Sequence, residues 1–251
     1  IVEGDAPVLA MTAQPFLSSN TFEQRLMYQL AKPTYKKTLK KFNQFTLYTS
    51  VWPFSGIYTK RAIRSAADLK GLKMRVYDGT GLAFGKLAGI AARKMPFSEV
   101  YPAMKAGLLD SMYTSSASGV DAKAWEMLDY FTRINIVGPV NMVNVNIGAW
   151  NNLPTKVQRA VQAVATQMED EMWNLAGDME RTSLAKLRAN GLKVPDCYSY
   201  PPNLREQLQQ ELGTFPLFDF WGPKTTIKSS EWISKASLKV HEWHNPDLIL
   251  I

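Results

Sequence analysis

A helical pattern runs from residue 155 to about residue 190, after a boundary at Leu153-Pro154 and before Gly191, which closes it. At 1.5 Å per residue such a helix is roughly 50 Å long, more than one small domain is wide. It must therefore bridge two lobes or kink, and Gly177 is the position for a kink. The 251 residues suit one large domain or two lobes of ordinary size, and either buries a substantial core.

The segments before that helix alternate between the two secondary-structure periods. Residues 7–17 read as a short apolar stretch broken by Pro15. Residues 21–30 read as a helix with Phe22, Leu26 and Leu30 on one face, interrupted by Pro33 before a second helix over 34–42. Phe45, Leu47 and Thr49 alternate in a strand that ends at Pro53. A strand over 72–77 leads through Asp78-Gly79-Thr80-Gly81 into a helix reaching Ala88. Ser98 can cap a further helix that Gly107 ends, and 108–113 is extended. Residues 141–146 alternate again, with Asn144 and Asn146 read as sharing the face of Asn141 as solvated edges. A helix is expected near 203–212, an aromatic loop over 215–221 and an amphipathic helix over 230–243. Alternation of this kind predicts α/β architecture.

Composition removes several function classes. A hydrophobic fraction of 46% with seven tryptophans is globular. No run reaches the ~18 to 20 apolar residues of a membrane span, so the chain reads as soluble. Cys197 is the only cysteine, which excludes an internal disulfide and any CxxC motif and suits an oxidising compartment. The formal charge of +7 comes with no nucleic-acid-binding signature. Lys36, Lys37, Lys40 and Lys41 read as a solvated helix face, and the weak positive field favours encounter with anionic solutes.

The stretch Ala67-Asp68-Leu69-Lys70-Gly71-Leu72-Lys73-Met74-Arg75-Val76 is followed by Met95-Pro96-Phe97-Ser98-Glu99-Val100-Tyr101 and Gly107-Leu108-Leu109-Asp110. In order and spacing these segments resemble the central signature of the DctP-type solute-binding proteins of TRAP (tripartite ATP-independent periplasmic) transporters. The resemblance implies a two-lobed periplasmic-binding-protein clamshell with the long helix bridging both lobes. Lobe I would comprise 1–52 and 140–179, lobe II 53–139 and 180–232, with 233–251 a terminal helix and tail. Family members begin with strands and helices that precede the position of Ile1, so the resemblance also implies an N-terminally incomplete chain.

The resemblance further implies that Arg75 binds the carboxylate of a small organic acid. A guanidinium suits that task because its planar fork meets both carboxylate oxygens. Phe97 matches a family position lining the cleft, although core packing is an equal use for such an aromatic. Tyr113, Thr114, Ser115 and Ser116 end a strand where the family places a polar reader. Thr114 stands where sialic-acid-binding members carry asparagine, which argues against that ligand. Trp52, Phe54 and Tyr58 are candidates for an apolar wall, and the Asn141 amide for a further contact.

The implied activity is non-catalytic capture of an aromatic, hydroxy, keto or sugar acid in the periplasm. Delivery would be to TRAP membrane permease subunits, with ion-gradient-driven uptake, no cofactor and no nucleic acid. Two other readings stay open: a binding-only sensor of a similar acid, and a hydrolase using Asp110 and Glu99 as paired carboxylates. Ser116-Ala117-Ser118-Gly119 is not a nucleophile elbow, and His241 with His244 completes no zinc site.

Overall fold

The structure is a computed structural model that describes residues 6–195 and 204–212. A 3-10 helix, Pro7–Ala13, precedes α1 (Thr21–Lys41), β1 (Gln44–Val51) and β2 (Ser55–Thr59). Then follow β3 (Lys73–Val76), α2 (Gly79–Leu87), β4 (Ala91–Lys94), α3 (Val100–Lys105), β5 (Ser111–Ser115), α4 (Ser116–Asp121) and β6 (Tyr130–Thr132). The chain continues through β7 (Val140–Asn146), α5 (Ile147–Asn151), α6 (Thr155–Ala189) and α7 (Leu204–Leu212). Cys197, the 215–221 loop, the 230–243 helix and both histidines lie outside the described residues.

The strands form two sheets. A two-stranded antiparallel sheet pairs β1 with β7, and a five-stranded mixed sheet has the order β4-β3-β5-β2-β6. Each sheet has its own apolar interior. Met11, Tyr28, Ala31, Tyr35 and Val51 cluster beside the small sheet, whereas Ile57, Met74, Val76, Phe84, Tyr113 and Leu187 fill the clusters of the large one. The two bodies are the two lobes of the fold.

α6 is unbroken over 35 residues and belongs to both lobes. Trp173 and Ala176 pack into the small-sheet cluster, and Leu184 and Leu187 into a large-sheet cluster about 12 Å further along the axis. Between them Gly177 has nothing within 4 Å of where a Cβ would stand. Bridging, rather than termination, is therefore how this chain uses its longest element. Gly191, with φ +89°, adopts the left-handed conformation that ends it.

Several local expectations are corrected. Pro33 does not divide the helix: α1 is continuous over 21 residues. Proline costs a helix one hydrogen bond, but the buried Tyr28, Ala31, Tyr35 and Leu39 on one face outweigh that loss. The face itself is shifted by one residue, since Phe22 is 63% exposed and Met27 and Tyr28 are buried. Lys36, Lys37, Lys40 and Lys41 are indeed solvent-exposed. Ser98 caps nothing; it lies within a 3-10 turn, Phe97–Glu99, that runs into α3. A bulge between Thr46 and Tyr48 breaks the alternation in β1. A two-residue period places Asn144 and Asn146 on the face opposite Asn141. There Asn144 accepts a bond from Thr46, and Asn146 caps α5 through the Ala149 N–H.

Candidate functional site: a cleft between the two sheets

Arg75 is the third residue of β3. Its neighbours Met74 and Val76 are fully buried in the sheet core, so strand alternation turns Arg75 to the opposite face. The side chain is only 5% exposed. Its Nε donates to the Met95 carbonyl at 3.1 Å, and the loop that supplies this carbonyl goes on to Phe97. The guanidinium lies 5.7 Å from the ring centroids of both Tyr77 and Phe97. Among the described residues no carboxylate lies within ion-pair distance of it. Burial lowers its pKa, against the pull of Tyr77 and Asp78, and an arginine so placed remains charged at neutral pH. Arg93, its register partner on β4, is exposed and adds to the positive potential.

Around Arg75 is a cavity of about 380 Å³, lined also by Trp52, Ser55, Tyr77, Phe97, Thr114, Ser115, Ser118, Asp121, Pro139 and Asn141. That volume suits a small organic molecule. Both bodies contribute. Trp52 follows β1 and Asn141 lies in β7, while the arginine, the hydroxyls and Asp121 come from the large sheet and α4. Where the chain passes from one body to the other, Trp52 N–H donates to the Pro139 carbonyl at 3.0 Å and Ser55 N–H to the Val137 carbonyl at 2.8 Å. The two strand-to-strand links thus run side by side along one wall.

Of the residues expected at the site, Arg75, Thr114, Phe97, Trp52, Ser115 and Asn141 line this cavity. Tyr113 is not among them. It is 1% exposed, stacked on Tyr77 at 5.0 Å between centroids, and tilted against Phe84 at 6.3 Å, behind the lining. Burial holds the phenols of Tyr77 and Tyr113 well above their ordinary range, so both stay neutral. Phe54 packs against Gly138, and Tyr58 stacks on Phe131 at 4.2 Å, so neither forms the apolar wall. Ser116 faces Glu180 on α6. The Ser115 hydroxyl accepts from the Ser118 N–H at 3.2 Å and caps α4. Asp110 accepts from the Lys73 N–H at 2.8 Å and Glu99 ends the 3-10 turn; neither lines the cavity, so the paired-carboxylate reading has no site here.

Tyr77, Ser118, Asp121, Ser55 and Pro139 were not anticipated. For three of them a signal existed. Tyr77 is two residues beyond Arg75 on the same strand face, and Ser118 and Asp121 follow Ser115 at three-residue helical spacing. Ser55 and Pro139 are brought in by tertiary adjacency alone.

A second cavity of about 410 Å³, between β1 and α6, is lined by Leu47, Tyr48, Ala160, Val161, Val164, Ala165 and Met168. It offers no charged group, in contrast to the Arg75 cleft.

A family model described as bacterial extracellular solute-binding protein, family 7 (DctP), matches residues 2–213. The fold is similar to a Bordetella pertussis extracytoplasmic solute receptor binding pyroglutamic acid, with 28% identity and a TM-score of 0.85 over 94% of this chain and 77% of that one. It is also similar to a marine metagenome TRAP solute-binding protein specific for pyroglutamate, with 25% identity and a TM-score of 0.83 over 94% and 76%. Among curated proteins, a monocarboxylate 2-oxoacid-binding periplasmic protein of Nostoc sp. is 29% identical over 76% of this chain and 54% of its own length. The chain thus spans about half the length of the curated relatives it matches.

Proposed function

The chain belongs to the bacterial extracellular solute-binding proteins of family 7, and we propose that it captures a small monocarboxylic acid around Arg75, with L-pyroglutamate the leading candidate. The observation that carries this reading is the condition of Arg75. Its Nε is braced by Met95, its guanidinium is flanked by two aromatic rings, and among the described residues no protein carboxylate stands within ion-pair distance of it. A buried cation without a counter-ion is costly, and a ligand carboxylate supplies the missing charge through two parallel bonds.

The remainder of the lining narrows the acid. Thr114 and Ser118 offer hydroxyls, and Asp121 offers an acceptor that favours a ligand with an N–H or O–H donor. A lactam acid has both features, and similarity to two pyroglutamate-binding proteins supports the choice. Trp52, Phe97 and Pro139 cover the ring's apolar edge. Asp121 equally leaves room for a hydroxy acid, and the Nostoc relative keeps a 2-oxo acid in view. The lobes, divided as 1–52 with 140–179 and 53–139 with 180–232, close over the solute without covalent chemistry. Location in the periplasm, delivery to TRAP permease subunits and ion-gradient-driven uptake belong to the same proposal and rest on the family.

The test is calorimetric titration of this chain with L-pyroglutamate, pyruvate and D-galacturonate, repeated on Arg75→Met. L-pyroglutamate binds most tightly, and the substitution weakens it by about 100-fold, as loss of one partner of a desolvated charge pair does. Binding that survives Arg75→Met within about threefold removes the arginine from the account.

A further inference from the structure

Glu180 lies on α6 just beyond Gly177, where the helix passes α4. Its carboxylate accepts a hydrogen bond from the hydroxyl of Ser116, the first residue of α4. The other carboxylate oxygen is 3.3 Å from Nε of Arg133, at the root of the link from β6 to β7. Both members of this pair are about four-fifths buried, with side chains 21% and 18% exposed. Surface ion pairs contribute little, but in a pair this sheltered the loss of one partner is costly to the other.

What Glu180 holds is adjacent to the cleft. Ser116 is fully buried and follows Thr114 and Ser115, which line the cavity. The same turn is gripped by Tyr58, whose hydroxyl donates to the Ser115 carbonyl at 3.0 Å. There is no slack, since a Cβ on Gly119 would stand 1.9 Å from that hydroxyl. One carboxylate therefore joins the bridging helix, the start of α4 and the root of the return link.

We propose that Glu180 is a positioning residue for the cleft: by holding Ser116 and Arg133 together it sets where Thr114, Ser115, Ser118 and Asp121 stand, and so governs solute affinity without touching solute. This rests on the reading that the Arg75 cavity is the solute site. The groups facing Glu180 are Ser116 from α4, Arg133 at the end of β6, Tyr58 from β2 and Arg188 on α6 itself. Burial raises its carboxyl pKa, opposed by the Ser116 bond and by the two arginines. The folded state thus holds the proton more tightly than the unfolded one, and protonation does not itself destabilise the fold. It does remove the attraction for Arg133. Affinity therefore falls as pH drops through the raised pKa, before ordinary carboxylates titrate.

The experiment compares wild type, Glu180→Gln, Arg133→Gln and the double variant of the full chain. L-pyroglutamate is titrated from about pH 7.5 to about pH 5, and amide hydrogen exchange is followed without ligand. Each single change weakens binding about 3- to 10-fold at neutral pH, and the double is no worse than either. The decline with falling pH disappears in Glu180→Gln. Exchange quickens in 114–121 and 133–137 and stays unchanged in 44–51. Unchanged exchange in Glu180→Gln overturns the proposal, and so does faster exchange with wild-type affinity and pH profile. If wild type does not take L-pyroglutamate, the identity of the solute fails and exchange alone decides the role of Glu180. If Arg75→Met abolishes binding while Glu180→Gln leaves it intact, the cleft stands and the positioning role falls.

Discussion

At the scale of single residues, the cleft joins one buried cation to one exposed anion with hydroxyls around them. Arg75 could be singled out from sequence because it ends a recurring motif and because guanidinium chemistry permits the role. Asp121 carried only the weaker signal of its helical spacing from Ser115 and Ser118, because a carboxylate at the end of a short helix has an ordinary use at the surface. It enters the same cavity because α4 starts where β5 ends, and β5 pairs with β3. Asp121→Asn keeps the shape and an acceptor oxygen but loses the charge. Affinity for L-pyroglutamate, a lactam donor, falls about 5- to 30-fold, whereas affinity for pyruvate, which has no such donor, stays within about twofold; paired titrations show whether the two diverge. Tyr113 went astray for a simple reason. Its ring is held behind the lining by stacking on Tyr77 and packing against Phe84, tertiary contacts that a polar run in the sequence does not show.

At the scale of elements, the long helix was legible in full because its period is sustained over many turns, and its end is marked by a glycine with positive φ. Helix α1 was misread at Pro33 because the local penalty of proline is visible in sequence and the tertiary burial that outweighs it is not. Two substitutions probe α6. Gly177→Ala meets nothing within 4 Å and gains helix propensity, so stability to urea rises by about 0.5 to 1 kcal/mol. Trp173 stacks on Tyr28 at 6.0 Å, and its indole N–H donates to Thr49 at 3.1 Å. Trp173→Phe leaves the buried Thr49 hydroxyl without this donor and opens space, lowering stability by about 2 kcal/mol in the same assay.

At the scale of the whole molecule, two apolar interiors are linked by two adjacent strand connections and one helix, and the cleft lies where the links meet. Helix length left two lobes or a kink as the choices and the resemblance pointed to the lobes; which faces of them meet could not be read. The interiors also share a pH signature. Burial raises Tyr28 and Tyr35 to about 12 and lifts Tyr58, Tyr77 and Tyr113 as well. A phenol with a raised folded-state pKa holds its proton where the unfolded chain has lost it, so stability falls as pH rises from about 10 to about 12. Denaturation midpoints should drop across that window, less steeply in Tyr35→Phe. The central claim is that an arginine with no protein carboxylate in contact, among the described residues, receives the solute's carboxylate in this cleft. It is tested most directly by changing the ligand and leaving the protein intact. Calorimetry of L-pyroglutamate against L-pyroglutamide, its neutral amide, should show the amide binding at least about 100-fold more weakly. Equal affinity for the two would contradict the claim.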